Sequence, residues 1–476
     1  MSKYLYGASV QGIQDFIFKT NKLQEIVGAS EIVKGIAKHF SDNYQPEEII
    51  LNAAGNIKAV FTEDECKKVV LDFPKEIMLL AYGITLSQAV VKIAGETATQ
   101  DEINQLEQRL KVQRNKPSAS LDMSLNIMEL NPSTAKPVVA YKKIKDKSTP
   151  LDRATKQKIE ANEEFFKNNP NLKEFKNLSE MSNGKNKIAV IHVDGNGLGM
   201  LLPKLKEKEL SAFSKALDEA TREAFDRAKS DNMSIRDVIL GGDDMVVVCN
   251  ANDALEFTKN FLQFFEEETT LKLDSKLTAL KLGSKLTACA GIAYSNEKYP
   301  FHYAVSLAEE LCDATKKHAK KINEDLAPSS LMFHNIQSSN FHSWDKFVED
   351  ELTITNDKQS IRCDFGPYYL NDEENQVQIG DFINTLEAYR CDGSPISRLR
   401  AWMGELYKSD KYASTMLERI NDMAEKSSDW KSCIMEKNLQ RFNEELSNET
   451  LIIKKDGFDK TPIYDVLQIL SATEAK

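Results

Sequence analysis

The stretch Val238-Ile239-Leu240-Gly241-Gly242-Asp243-Asp244-Met245-Val246-Val247-Val248 decides how this chain folds. Two short apolar runs joined by Gly-Gly and two acids read as a β-hairpin. The turn presents paired carboxylates, and its glycines leave room for a backbone or a phosphate to approach. Hard oxygen ligands of this kind suit Mg²⁺ held against nucleotide phosphates. A third acid closes another strand pattern, Lys187-Ile188-Ala189-Val190-Ile191-His192-Val193-Asp194. With those strands as neighbours, Asp194, Asp243 and Asp244 make a two-metal site for nucleotidyl transfer.

Working outward, the strand at 187–194 precedes a helix over about 200–229, and strands near 235–240 and 245–249 flank the acidic turn. A helix over about 252–269, a strand over 285–293 and a helix over about 301–321 complete a βαββαβ order with one further helix, the ferredoxin-like or palm arrangement. Gly195, Gly197 and Gly199 follow Asp194, so the strand-to-helix turn has room for phosphates. The first 115 residues repeat the order. Strand Tyr4–Ser9, a helix over about 19–40, the hairpin Ile49–Ala53 and Ile57–Phe61, a helix over 63–80, a strand over 83–93 and a helix over 100–114 follow in turn. The repeat is one of pattern rather than identity. Where the second copy has its acids, the first has Asn52-Ala53-Ala54-Gly55-Asn56 and Gly7-Ala8-Ser9. The first copy therefore reads as a partner to the pocket, without metal ligands of its own.

The expected fold class is α+β: two tandem ferredoxin-like (palm) domains, the second catalytic, plus a mostly helical C-terminal domain. The expected domains are a first palm over 1–115, a linker with one helix over 116–185, a second palm over 186–328 and the helical domain over 329–476. The linker contains irregular stretches (KPSAS, NPSTAKP, KSTP), and Tyr141–Lys147 (YKKIKDK) reads as a solvated segment. No chemistry is legible after about 330, where an interaction or scaffold role is the default.

Composition limits the alternatives. The chain has 476 residues, 41 % of them hydrophobic and 28 % charged, an ordinary globular balance. A net charge of −11 argues against extensive autonomous binding of DNA or RNA, which calls for the opposite sign. It leaves nucleotides open. No run approaches the roughly 20 apolar residues of a membrane span, and the N-terminus reads without a signal-peptide core, so a cytoplasmic location is expected. Seven scattered cysteines (66, 249, 289, 312, 363, 391, 433) form no CxxC pair; free thiols, not a zinc module, are expected.

With these residues laid out, the chain resembles the polymerase-cyclase large subunit of type III CRISPR effector complexes and, more distantly, diguanylate cyclases. The resemblance rests on Gly7–Phe18 (GASVQGIQDFIF) with Lys22-Leu23 and Gly28-Ala29-Ser30, on Val193–Gly199 (VDGNGLG) with the acidic turn, and on Ala308-Glu309-Glu310-Leu311 through Lys316-Lys317. Together these cover about two-thirds of the chain. It implies conversion of ATP to cyclic or linear 3′–5′ oligoadenylates, second messengers of antiviral defence. Three departures are visible: no His-Asp nuclease motif among the six histidines (39, 192, 302, 318, 334, 342), no zinc element between the palms, and a short chain. A compact or stand-alone relative fits better than a complete effector subunit.

The expected chemistry places two Mg²⁺ or Mn²⁺ ions on Asp194, Asp243 and Asp244, with ATP as substrate and no zinc. Lys316, with Lys317 or Lys320, is expected to neutralise the triphosphate. Gly195, Asn196, Gly197, Gly241 and Gly242 are candidates to contact nucleotide, joined from the first palm by Gln14 and Ser30, with Gln11 and Lys22 beside them. Each has a plainer alternative: Asp194 as a helix cap, Lys316 as a solvated face, Asn196 as a turn residue. His192 reads as a satisfied core histidine, and Phe261, Phe264 and Phe265 as core. Competing functions are a dinucleotide or mononucleotide cyclase and a catalytically silent nucleotide-binding scaffold of an RNA-guided complex. CRISPR effector subunits with guide or target RNA, and a homo-oligomer, are the candidate partners.

Overall fold

The structure is a computed structural model. It describes residues 2–474 except 54, 96, 117–124, 126, 145–146, 173, 202–204, 206, 280–284, 338–342, 356–359, 392, 427–436 and 448. Most of the KPSAS stretch and Cys433 lie outside the described residues. The chain divides into two compact units, residues 1–180 with 205–215, and residues 181–204 with 216–476.

In the first unit, β1 (Lys3–Gln11), α1 (Ile13–Phe18), α2 (Leu23–Asn43), β2 (Glu48–Ala53), β3 (Asn56–Thr62), α3 (Glu63–Leu80), β4 (Thr85–Ile93) and α4 (Gln100–Arg114) run in the expected order. Their sheet has the strand order β2-β3-β1-β4. Alternate residues of β1 face a helical layer, and Leu5, Val60, Val91, Leu106 and Leu110 close a shared apolar core. Thr99 caps α4 in a capping box with Glu102. Beyond α4, a hairpin of β5 (Ala140–Ile144) and β6 (Lys147–Leu151) precedes α5 (Arg153–Asn168). The YKKIKDK stretch, read as a solvated segment, pairs within this hairpin; Tyr141 and Lys143 are exposed and Lys142 is half-buried.

The second unit repeats the plan. β7 (Lys187–Gly195), α6 (Leu198–Leu201), the later part of α7 (Glu207–Ala228), β8 (Ile235–Gly241), β9 (Asp244–Asn250), α8 (Ala254–Ala279), β10 (Ala288–Asn296) and α9 (Phe301–Ile322) follow one another, and the strands order as β8-β9-β7-β10. β7 is the inner strand, buried along almost its whole length. Phe261 and Phe265 stack in the core. Phe264 does not join them. It is half-buried beneath the Arg227 guanidinium, 4.1 Å from the ring centre.

The palm sheet continues past β10. β11 (Ser330–Asn335) pairs with it in parallel, and β14 (Tyr368–Tyr369) and β15 (Val377–Gln378) extend the sheet to seven strands. α10 (Trp344–Asp350) comes between β11 and a second sheet of β12 (Thr353–Thr355), β13 (Ser360–Arg362), β17 (Phe458–Lys460) and β16 (Ile453–Lys455). α11 (Ile379–Tyr389), α12 (Ile396–Leu406), α13 (Asp410–Lys426) and α14 (Ile463–Ala472) supply the helical part. The region after 329 is therefore helical with short strands, and its first strand belongs to the palm.

α14 also ties back to the start of β7. Asn183 Nδ2 donates to the Ala472 carbonyl at 2.8 Å, the Gly184 amide to Glu474 Oε2 at 3.0 Å, and Lys185 Nζ to the Leu470 carbonyl at 2.8 Å. On the other side, Asn335 of β11 donates its amide to Gln468 Oε1 at 2.9 Å. Among the described residues, no helix is long and apolar enough to cross a membrane.

Candidate functional site

The site forms where β7 and β9 end together. Their antiparallel register sets Asp194 directly opposite Asp244, Val193 opposite Met245 and His192 opposite Val246. On the other side of β7, Asp194 pairs with Cys289 and His192 with Gly291 of β10. Because side chains alternate along a strand, His192, Asp194 and Asp244 share one face of the sheet. That face lies under α9. Gly291 is the contact point: a Cβ there would fall 2.0 Å from the Ala308 carbonyl and 2.6 Å from the Cys312 amide nitrogen. A strand without a side chain at this position lets the α9 backbone sit almost on the sheet.

Asp243 is brought in by a second close approach. The Gly195 amide donates to the Asp243 carbonyl at 3.1 Å. A Cβ on Gly195 would stand 2.8 Å from Cβ of Asp243, so only glycine fits below this acid. The turn itself is held from α7. Asp218 Oδ1 accepts the Gly242 amide at 3.3 Å, the Thr221 hydroxyl donates to the Gly242 carbonyl, and Arg222 donates to the Leu240 carbonyl at 3.2 Å while paired with Asp218 at 2.9 Å. Gly242 and Gly197 adopt left-handed backbone conformations, with φ of 65° and 79° and open space around them. Gly241 faces Asp218 instead; a Cβ there would lie 3.1 Å from its Oδ1.

Lys316 of α9 reaches across this end of the sheet. Its ammonium forms an ion pair with Asp194 and donates to the Gly195 carbonyl at 2.9 Å. The carboxylates nevertheless outnumber it. Burial and the neighbouring Asp194 charge push the Asp243 carboxyl upward, and burial, Asp194 and Glu309 together push Asp244 up to about 7. Oδ1 of Asp244 is buried and, among the described residues, accepts no hydrogen bond, although the side chain as a whole is 44 % exposed. Among the described residues, no three His, Cys, Asp or Glu side chains are drawn close enough to form a ready-made metal cage. What the site holds is an excess of carboxylate around one lysine, with one buried oxygen unpaired.

Other candidates are placed differently. Asn196 points inward: its side-chain nitrogen donates to Thr287 Oγ1 at 3.1 Å and to the Ala327 carbonyl at 3.2 Å, and the residue is 4 % exposed. It fastens the strand end to the β10 and β11 approach and does not face a ligand. Lys320 is exposed one turn beyond Lys316, and Lys317 is exposed beside it. Gln14 is exposed on α1 and Ser30 is buried in α2, both within the first unit. The residues that hold the turn, Asp218, Thr221 and Arg222, carry no motif; their spacing of three and four places them on one helix face, but only the fold shows what that face meets.

The first unit shows the same locus without acids. Ser9 of β1 pairs with Asn56 of β3 in the register that Asp194 and Asp244 occupy, its hydroxyl donating to Asn56 Oδ1 at 2.8 Å. Arg114 at the end of α4 donates to Ser9 Oγ at 3.0 Å. The helix cation persists, and the carboxylates do not.

A four-stranded antiparallel arrangement of this order, with an acidic turn joining its edge strand β8 to β9, defines a palm domain, the fold of nucleotide cyclases. Residues 187–324 match the Cas10/Cmr2 second palm domain family, and the chain is accordingly similar to the large subunit of type III CRISPR effectors. Among solved structures it is similar to Csm1 of the Csm1–Csm4 cassette in complex with cA4, with a TM-score of 0.51 and 14 % identity over 99 % of this chain and 70 % of that one. The cassette in complex with AMPPNP gives 0.51 and 15 %, again over 99 % and 70 %. The Csm1–Csm4 subcomplex of the type III-A CRISPR-Csm interference complex gives 0.50 and 14 % over the same shares. These likenesses are of fold. The chain spans 70 % of those Csm1 chains and 53 % of the one in the apo cassette. No curated protein matches it.

Proposed function

We propose that this chain is a metal-dependent nucleotidyltransferase that joins ATP into 3′–5′ oligoadenylates, cyclic or linear, as a second messenger of CRISPR-type antiviral defence. The observation that carries the reading is the β7–β9 register, which sets Asp194 opposite Asp244 beside an acidic turn seated on Gly195. The donor set fits a divalent cation: the oxygens are hard, three carboxylates converge on one lysine, and among the described residues Asp244 Oδ1 lacks a partner. Asp194, Asp243 and Asp244 would hold Mg²⁺ or Mn²⁺. When bound, such ions activate a ribose 3′-hydroxyl and neutralise charge on the α-phosphate and leaving pyrophosphate.

The remaining roles fall to the chain. Lys316, which pairs with Asp194 and donates to the Gly195 carbonyl, would supply the positive charge that neutralises the triphosphate. Lys320, one turn on, extends the positive track. Gly197, Gly241 and Gly242 leave the backbone accessible to phosphate, and the Asp218, Thr221 and Arg222 contacts keep the turn from drifting as charge accumulates. Dinucleotide and mononucleotide cyclases use the same chemistry with a different acceptor.

One observation favours a second reading. The direct Lys316–Asp194 pair neutralises a ligand that catalysis needs, as suits a nucleotide-binding scaffold of an RNA-guided complex. The deciding experiment incubates the protein with each nucleoside triphosphate and Mg²⁺ or Mn²⁺ and identifies products by mass spectrometry, with an Asp243→Ala/Asp244→Ala variant in parallel. Oligoadenylates from the wild type alone establish the synthetase. ATP binding without turnover, persisting when effector subunits and target RNA are added, establishes the scaffold.

A further inference from the structure

We propose that His192 is a positioning residue for Asp244, its Nε2–H turning that carboxylate toward a bound divalent cation. The inference rests on the reading of Asp194, Asp243 and Asp244 as the cation ligands.

His192 is 6 % exposed, on the same sheet face as Asp194 and two residues before it. A core histidine normally has both ring nitrogens satisfied. This one does not: Nδ1 is buried and, among the described residues, has no hydrogen-bond partner. Nε2 lies 3.8 Å from Oδ1 of Asp244, the same oxygen that is buried and unpaired. That separation is too long for a hydrogen bond and short enough for a rotation of the carboxylate to close.

A neutral imidazole has one proton for two nitrogens. With no acceptor at Nδ1, the proton belongs on Nε2, where it faces Asp244. On turning, Asp244 Oδ1 would meet that N–H from a ring already seated on the same sheet face. A phenylalanine or leucine would fill the same space between β9 and β10 without leaving a buried polar atom unsatisfied, which costs about 1–3 kcal/mol. A purely structural role gives no reason for histidine here. The arrangement is that of an outer-shell donor, oriented by the strand, which fixes the angle of a metal-binding carboxylate.

The test is Mn²⁺ binding to the full chain without nucleotide, by calorimetry or by the loss of the free-ion paramagnetic resonance signal. Wild type, His192→Phe, His192→Gln and Asp244→Ala are compared, with thermal unfolding of each metal-free protein. His192→Phe is expected to weaken Mn²⁺ about 10–100-fold without lowering the melting temperature, and His192→Gln, which keeps an N–H donor, to recover most of the loss. Wild-type affinity in His192→Phe overturns the proposal. Equal losses in the Phe and Gln variants also overturn it, since packing rather than the donor would then be responsible. Asp244→Ala separates the two levels: if it binds Mn²⁺ like wild type, the ligand assignment itself fails; if it loses the ion while His192→Phe does not, only the role of His192 fails.

Discussion

Replacing Gly195 by alanine perturbs the site with a single methyl group. The new Cβ would lie 2.8 Å from Cβ of Asp243 and 3.1 Å from Cδ1 of Leu198. Carbon atoms in contact prefer about 3.5–4.0 Å, so one side must yield by about 0.7–1.2 Å. Leu198 can turn its methyl aside. Asp243 cannot do so by rotating, because its Cβ is fixed to a backbone whose carbonyl accepts the Gly195 amide and whose neighbour Gly242 is held by Asp218 and Thr221. The whole turn moves, carrying Asp243 away from Asp194. Overpacking of this kind costs about 1–3 kcal/mol of stability. A displacement near 1 Å in a reacting constellation costs about 10²-fold in rate. Pyrophosphate release with ATP and Mn²⁺ is the assay, paired with Mn²⁺ affinity and thermal unfolding. The expected variant is folded and modestly less stable, with turnover reduced about a hundredfold. A Gly195→Ala protein with wild-type Mn²⁺ affinity and turnover would refute the argument that this contact sets the position of Asp243.

Two further expectations concern charge. Lys316→Met removes the counter-ion of Asp194, so the metal-free protein should be less stable at pH 8. It should bind Mn²⁺ alone at least as tightly as wild type, while its ATP-dependent turnover falls; weaker binding of Mn²⁺ alone would show that Lys316 does not compete for the carboxylate. Asp465 is buried in the C-terminal region, accepting from the Tyr368 hydroxyl at 2.7 Å and Gln468 Nε2 at 2.9 Å, and burial pushes it up to about 7 from an ordinary 3.8. Between those values the folded chain keeps a proton that the unfolded chain has released, so stability falls as pH rises from about 4 to about 7 and then levels. At 1.36 kcal/mol per unit the loss is on the order of 4 kcal/mol. Urea midpoints at pH 4.5 and 7.5 should show a smaller drop in Asp465→Asn than in wild type; equal drops contradict the assignment.

Much of the palm order is readable because its strands obey a period. Val91 lies between half-buried Val90 and exposed Lys92, and β1, β3 and the runs flanking Gly241-Gly242-Asp243-Asp244 are long and apolar enough to stand out although most of their positions are buried. The short strands of the C-terminal region defeat the same reasoning. β14 and β15 have two residues each, too few for a period of two, and β11 is buried at all six positions, so it has no alternation to detect. YKKIKDK reads as a solvated segment because its lysines call for no burial, and the pairing of its backbone leaves no mark on that pattern. At the site, residue type identifies the acids and the lysine, but not the direction in which a side chain points. Asn196 turns into the core, His192 lacks the partners a core histidine needs, and Phe264 leaves the aromatic stack for Arg227. Orientation depends on cross-strand register and on α9 settling against Gly291, and both are properties of the assembled sheet.

The bonds that join 183–185 to 470–474 also impose an order in time. Asn183 and its acceptor Ala472 are 289 residues apart. At about 5–20 residues per second, a ribosome needs roughly 15–60 s to make the second after the first. β9, β10 and β11 are made well within that interval, so β7 can be paired on both sides before it ends. The contacts of residues 183–185 and of Asn335 wait for α14. The palm sheet can therefore assemble early, while the clasp at its entry closes only after synthesis has passed residue 474.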